Sequence, residues 1–340
     1  MLNRYLFSTS ILIGCFVFVS FAYWFSIFDT WQEKIIDRFF VKTPSGQKIV
    51  IIGIDDESIQ KIGQWPWPRA TFAKIIPELQ NSQAIGFDIN FSEYSRAESE
   101  DDLLFKYALE RSEVPIILPV QLRNTGSVQV RPLALFEKFT QQGFVNVEQD
   151  ADSITRHLTP KIGAHQSFGS QLARGKTPED RFRIYYYGPA GTFLTVPFID
   201  VYEDRIPERI FDGAYVLVGA TAKDLQDFIE TPFGTMPGVE VHANIISTIV
   251  DGRFLTDLPK SFGVFSLAIV IALAGFLILR IHHFRILITL LILLLLILNI
   301  AGIILFFFKI IVPVLYINLG LLTSSGVMIL FQYTRTSKEK

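Results

Sequence analysis

The chain has 340 residues, a formal net charge of −2, 50% hydrophobic residues and a single cysteine. That balance gives no electrostatic basis for nucleic-acid binding, and one cysteine excludes an internal disulfide framework. The near-neutral total conceals a split: residues 29–260 carry 24 Lys and Arg against 32 Asp and Glu, a net of −8, while the remainder carries seven against one, a net of +6.

Leu6–Phe28 is uncharged and long enough to cross a hydrocarbon core, which takes roughly 20 helical residues. Its apolar core exceeds the roughly 7–15 residues of a cleaved signal peptide, and no small-x-small cleavage site follows it. Tyr23, Trp24 and Trp31 suit an interface, so the segment is expected to remain as an anchor. Asp29–Lys48 predicts a helical lead-in, with Trp31, Ile35, Ile36, Phe39 and Phe40 at helical spacing. Lys48–Ile54 is a run of β-branched residues typical of a strand buried on both faces. In Gln64–Arg69 (QWPWPR) each proline fixes its own φ and restricts the residue before it, which predicts a rigid turn. Thr71–Leu79 predicts a helix, Ala84–Phe91 a strand, Glu98–Arg111 a helix with an acidic first turn, and Val114–Val120 a strand.

The alternation predicts an α/β domain with a mostly parallel sheet covered by helices. Further strands are expected at Gly143–Val147, Ile154–Ile162, Arg183–Tyr187 and Ala214–Gly219, and helices at Ser167–Ala173 and Val239–Val250. Ala220–Gly238 is expected to be a long, functional loop. Three more spans follow, at Phe262–Leu279, Ile286–Phe308 and Val312–Gln332. The expected partition is an anchor over residues 1–28, one domain over 29–260, three spans over 261–333 and a short tail over 334–340. Arg4, Arg280, Arg285, Arg335, Lys338 and Lys340 then fall on one side of the membrane and only Lys309 on the other. Basic residues favour the cytoplasm, so residues 29–260 are expected outside the plasma membrane and both termini inside.

Several residue sets can carry chemistry. Asp55, Asp56, Glu57 and Asp88 lie at or near the C-terminal ends of two expected strands, the edge where open α/β sheets bind ligands. Such oxygens can also hold a hard cation, or Asp56 or Ser58 can cap the next helix. Trp65 and Trp67 can form an aromatic wall for a ligand or a plug in the core. Arg69 can pair with an aspartate or hold an anionic ligand bidentately. Asp227, Thr231 and His242 can line a site, although a lone histidine is more often structural. There is no Gly-rich phosphate loop, zinc-protease pattern or nucleophile elbow, and no cofactor or resident metal is expected. No charged residue lies in the middle of a span, which argues against an ion pathway.

IVIIGIDDESIQKIGQWPWPR, AIGFDINFSE and YVLVGATAKDLQDFIETPFGTMPGVEVHAN together resemble the second type of CHASE domain, a sensory extracellular domain of bacterial receptors. The resemblance covers about residues 30–255 and extends to the plan of one span before and three after. It implies ligand sensing outside the cell, coupled in such receptors to a cytoplasmic adenylate or diguanylate cyclase, histidine kinase or protein kinase. The chain departs from that pattern: no catalytic domain follows the last span, Phe228 follows Asp227 where a more polar loop is expected, and Ser153 stands where a glycine turn is common. The expected function is therefore a non-enzymatic membrane sensor module, a homodimer working through a separate cyclase or kinase. The rivals are an adaptor that docks an envelope partner, and a metal-dependent envelope hydrolase using Asp55, Asp56, Asp88 and His242.

Overall fold

The computed structural model describes residues 2–97, 100–174 and 177–338. It contains two compact units, Phe40–Phe254 and the pair of segments that flank it.

The unit Phe40–Phe254 is built on a seven-stranded sheet of β1 (Ile49–Ile54), β2 (Ala84–Asp88), β3 (Ile116–Leu122), β4 (Val128–Val130), β5 (Gln141–Phe144), β6 (Leu194–Pro197) and β7 (Tyr215–Ala220). The order β6-β1-β7-β2-β3-β5 is parallel throughout, and β4 folds back antiparallel on the end of β3. Burial on both faces explains why β1, β2 and β7 read as continuous apolar runs.

The two faces differ in side-chain size. Val50, Ile52, Val216, Val218, Ile85, Phe87 and Leu118 join one large core with the helices Asp56–Ile62, Arg69–Ile75, Asp101–Glu110 and Phe198–Tyr202. Aromatic rings dominate it: Phe105 lies 4.8 Å from Phe91 and 5.2 Å from Phe136, and Trp67 lies 4.9 Å from Phe198. The opposite face carries small residues where the helices Phe168–Ala173 and Gly238–Val250 approach. A Cβ on Gly219 would come within 2.8 Å of the Val239 Cβ, so only glycine lets the second helix sit this close to the central strands.

Several expected elements are corrected. The lead-in helix ends at Asp37, well short of Lys48. The helix expected from Glu98 runs Asp101–Glu110; Glu98 itself lies outside the described residues. The strand expected at Ile154–Ile162 reduces to two short pairings, His157–Leu158 and Lys161–Ile162. Ser153, immediately before this segment, adopts φ +66° in a left-handed turn. The strand expected at Arg183–Tyr187 stops at Arg183 because the following backbone bonds to a helix instead. Thr248 Oγ1 accepts the Tyr185 N–H at 3.0 Å, and Asn244 Oδ1 accepts the Tyr187 N–H at 2.9 Å. Residues 220–238 hold a hairpin, β8 (Phe228–Thr231) with β9 (Gly234–Pro237), rather than an open loop. Edge strand β6 is only four residues long and ends in proline, and it carried no expectation.

The other unit contains four helices long and apolar enough to cross a membrane, and the chain is a membrane protein. The apolar segments are Leu6–Trp24, Lys260–Arg280, Phe284–Phe307 and Val314–Thr334. The first helix breaks after Trp24, where Ser26 takes φ +58°, and the chain restarts as the helix Asp29–Asp37. Gln32 bridges this short helix to the last one: its Nε2 donates to the Val312 carbonyl at 3.0 Å and its Oε1 accepts the Leu315 N–H at 2.8 Å. The Tyr316 hydroxyl donates to Asp29 at 2.7 Å. Asn299 and Asn318 exchange amide hydrogen bonds of 3.3 and 3.1 Å between the third and fourth long helices. Interhelical polar pairs in lipid typically contribute about 1 kcal/mol. Asn318→Leu should therefore destabilise the helical bundle by about 0.5–2 kcal/mol, read by reversible unfolding in mixed micelles, with Leu319→Ile as a control near zero.

Candidate functional site

The parallel strands end together on one edge of the sheet. There Ile54 closes β1, Asp88 closes β2, Ala220 closes β7, and Pro119 and Gln121 lie near the end of β3. These residues line a cavity of about 560 Å³. Small-molecule sites span roughly 300–1,000 Å³ and favour this edge of an α/β sheet.

Six of the nine sequence-derived candidates line this cavity: Trp65, Trp67, Arg69, Asp88, Asp227 and His242. Three do not. The Asp55 carboxylate accepts the Ser58 N–H at 2.8 Å and caps the helix Asp56–Ile62. Asp56 is exposed in the first turn of that helix. Thr231 is committed to its hairpin, where its hydroxyl donates to the Gly234 carbonyl at 2.7 Å.

The two tryptophans have different surroundings. Trp67 is buried in the core, and its indole N–H donates to the Gly63 carbonyl at 2.8 Å. Trp65 is half-buried, packed edge-on against Trp67 with ring centres 5.3 Å apart. Arg69 opens the helix Arg69–Ile75, whose first N–H groups donate to Asp101 at 2.6 and 2.7 Å. Its guanidinium lies over the Phe91 ring at 4.9 Å, donates to the Glu93 carbonyl at 3.0 Å and sits 3.8 Å from Asp102. Of the alternatives open to Arg69, pairing with an aspartate is the contact made, at ion-pair rather than hydrogen-bond distance.

Asp88, Asp227 and His242 form an acidic end. They come from the end of β2, the residue before β8, and the second turn of the helix Gly238–Val250. Asp227 lies against that helix's first residue. A Cβ on Gly238 would meet both Asp227 oxygens at 2.7 Å, so glycine is required for the approach. Negative charge at a helix N-terminus is favourable. His242 is only 4% exposed, has its Nε2 3.9 Å from Asp88, and packs edge-on against Phe168 at 5.0 Å. Its Nδ1 is buried without a hydrogen-bond partner.

Burial raises the Asp88 pKa to about 7. Asp227 is raised to about 6, first by burial and then by repulsion from Asp88, with His242 opposing. Burial lowers His242 to about 4, partly offset by the attraction of Asp227. At neutral pH the imidazole is thus uncharged, Asp227 is mostly ionised and Asp88 is near its midpoint, so the acidic end carries negative charge with no cation against it.

Three further lining residues, Asn90, Gln121 and Asn146, carried no expectation. Gln121 had a readable signal, a polar residue near the end of the apolar run IILPVQL. Asn146 had none: its amide bonds both the N–H and the carbonyl of Leu122 and continues the sheet where β5 ends. Among the described residues no group of three or more His, Cys, Asp or Glu is arranged to hold a metal ion. With Asp55 capping a helix and Asp56 exposed, the four residues invoked for a hydrolase do not line a common cavity.

Neither the comparison with curated proteins nor that with solved structures returned a match. A model of the CHASE2 domain matches residues 12–278, well over half of the chain. The protein therefore belongs to the CHASE2 family of sensory domains.

Proposed function

We propose that the chain is a bacterial membrane receptor that binds a small ligand in the cavity at the C-terminal edge of its sheet. In this reading residues 29–260 lie outside the cytoplasm, both termini lie inside, and ligand binding is relayed through the membrane helices. The observation that carries it is the convergence of Trp65, Asp88, Asp227 and His242 on one cavity in a member of a sensory family. The six-to-one distribution of basic residues flanking the spans supports the orientation. His242 lies on the helix Gly238–Val250, and the chain continues through residues 251–259 into the helix that starts at Lys260. A ligand preferring one setting of that helix shifts the population of settings. Relay between membrane helices calls for a homodimer and for a cyclase or kinase that reads it.

Native mass spectrometry of the full-length protein, purified from its source membrane, tests the site. The expected result is a retained small molecule that is missing from Ala220→Phe, whose side chain fills the cavity. An unaltered melting temperature would show that Ala220→Phe still folds. Retention of the molecule by a folded Ala220→Phe protein, or no retained molecule in either, overturns the assignment. Labelling of Ser127→Cys in a Cys15→Ser background by an impermeant maleimide tests the orientation: labelling of spheroplasts is expected, and protection overturns it.

A further inference from the structure

We propose that the cavity selects a small organic cation, with an ammonium head on Asp88 and Asp227 and an apolar body against Trp65. This deepens the ligand-sensor reading and rests on it.

The argument begins with charge. Arg69 is the one cationic residue in the cavity wall, among the described residues, and Asp102 and the Glu93 carbonyl already engage it. Asn146 is neutral, and its amide bonds both the N–H and the carbonyl of Leu122. Asn90 and Gln121 are neutral. Nothing in the wall therefore compensates the two half-buried carboxylates at the acidic end, which take up a proton or a positive partner to relieve their charge.

The second observation is His242. It lines the same cavity, is almost fully buried, and keeps Nδ1 without a hydrogen-bond partner. With Asp88 facing Nε2, the ring proton is best placed there, which makes Nδ1 a bare acceptor. Primary ammonium groups carry three N–H donors and no acceptor. With the Nε2 proton turned to Asp88, Nδ1 and the ionised carboxylates present acceptors to the cavity, so the set matches an ammonium and mismatches a carboxylate or phosphate.

The rest of the wall fixes the body of the ligand. Ile54, Trp65, Pro66, Val145, Leu225 and Ile229 are apolar. Trp65 adds the largest apolar surface among them. A volume of about 560 Å³ leaves room for an aromatic or branched aliphatic group beyond the head.

Three probes sharing one apolar body decide the class: phenylethylamine (cation), 2-phenylethanol (neutral) and phenylacetate (anion). Titrated calorimetrically against full-length protein in nanodiscs, phenylethylamine should bind at least tenfold tighter than the alcohol, and phenylacetate should give no signal. Asp227→Asn should weaken the amine at least tenfold and leave the alcohol unchanged. If that variant fails to fold, Asp88→Asn serves the same comparison. Equal or tighter binding of the alcohol or the acid overturns the cation assignment while the cavity stands as a ligand site. Absence of binding by all three at millimolar concentration also overturns it. Stabilisation by Ca²⁺ or Zn²⁺ alone, with the amine silent, replaces it with a metal site. Loss of the retained molecule from Ala220→Phe is read independently, so failure of the parent reading shows up separately.

Discussion

Asp88→Asn is expected to stabilise the α/β unit above pH 7 by about 4 kcal/mol and to have no effect below about pH 4. The Asp88 carboxyl is raised from 3.8 to about 7 because the end of β2 is buried. An acid whose folded pKa is raised contributes stability in full below its unfolded pKa and loses it as pH rises through the folded value. Each unit corresponds to about 1.4 kcal/mol. Asparagine has the shape of the carboxylic acid and no charge to bury, so the loss disappears. The groups facing Asp88 reinforce the sign: Asp227 is relieved of a repulsive neighbour, and His242 is already neutral in this range. Urea unfolding of the full-length protein at pH 5 and pH 8, followed by tryptophan fluorescence, measures the difference. A variant equally or less stable than the parent at pH 8 would mean that Asp88 carries no costly charge. The same substitution should weaken an ammonium ligand, and such opposition of stability and binding marks a functional group rather than a structural one.

The second large effect is at Arg156, whose guanidinium is 1% exposed and pairs with Asp150 at 2.9 Å and Asp152 at 2.8 Å. Burial favours the neutral form of Asp150, but hydrogen bonds from His157 and Arg156 outweigh it and hold the carboxyl at about 2. Truncating one partner of a buried pair strands the others, which typically costs about 3–5 kcal/mol. Arg156→Gln is therefore expected to lower stability by about 3 kcal/mol at pH 7, measured by the same urea titration. The deficit should shrink as pH falls below 3.8 toward 2, where the parent's aspartates protonate and lose their depressed pKa advantage. A deficit under about 0.5 kcal/mol at pH 7 would show that the turn holds without this pair.

How much of this was readable depended on what each segment's backbone bonds to. IVIIGI, AIGFD and YVLVGA declare themselves because strands buried on both faces must be apolar throughout. LTVP of β6 does not, since it is short and lies at the margin of the sheet, and β5 was read only in part, because the expected strand from Gly143 misses the polar Gln141 and Gln142 with which it begins. Ile184, Tyr185, Tyr186 and Tyr187 misled for a different reason. The run IYYY resembles a strand, yet Asn244 and Thr248 take the place of a partner strand, and side-chain bonding at that sequence distance leaves no periodic trace. At the cavity, Asp88 was legible from its place at a strand end. Asp55 occupies the same kind of place and caps a helix instead, because a carboxylate before a helix start has a nearby N–H to accept. Asp227 and His242 stand 15 positions apart, and the hairpin β8–β9 that brings both to one cavity was hidden inside what read as a loop.

Glu240, Asn244 and Thr248, one turn apart along a single helix, hold the backbone of residues 185–193. Glu240 receives the N–H groups of Gly191 and Thr192, both at 2.9 Å, and the other two receive those of Tyr187 and Tyr185. This strap is laced to the helix rung by rung. Sliding the helix by one turn would unfasten every rung at once, whereas tilting it with the strap attached breaks none. His242 therefore travels with residues 185–193 as a single splinted piece, and whatever displaces one displaces both.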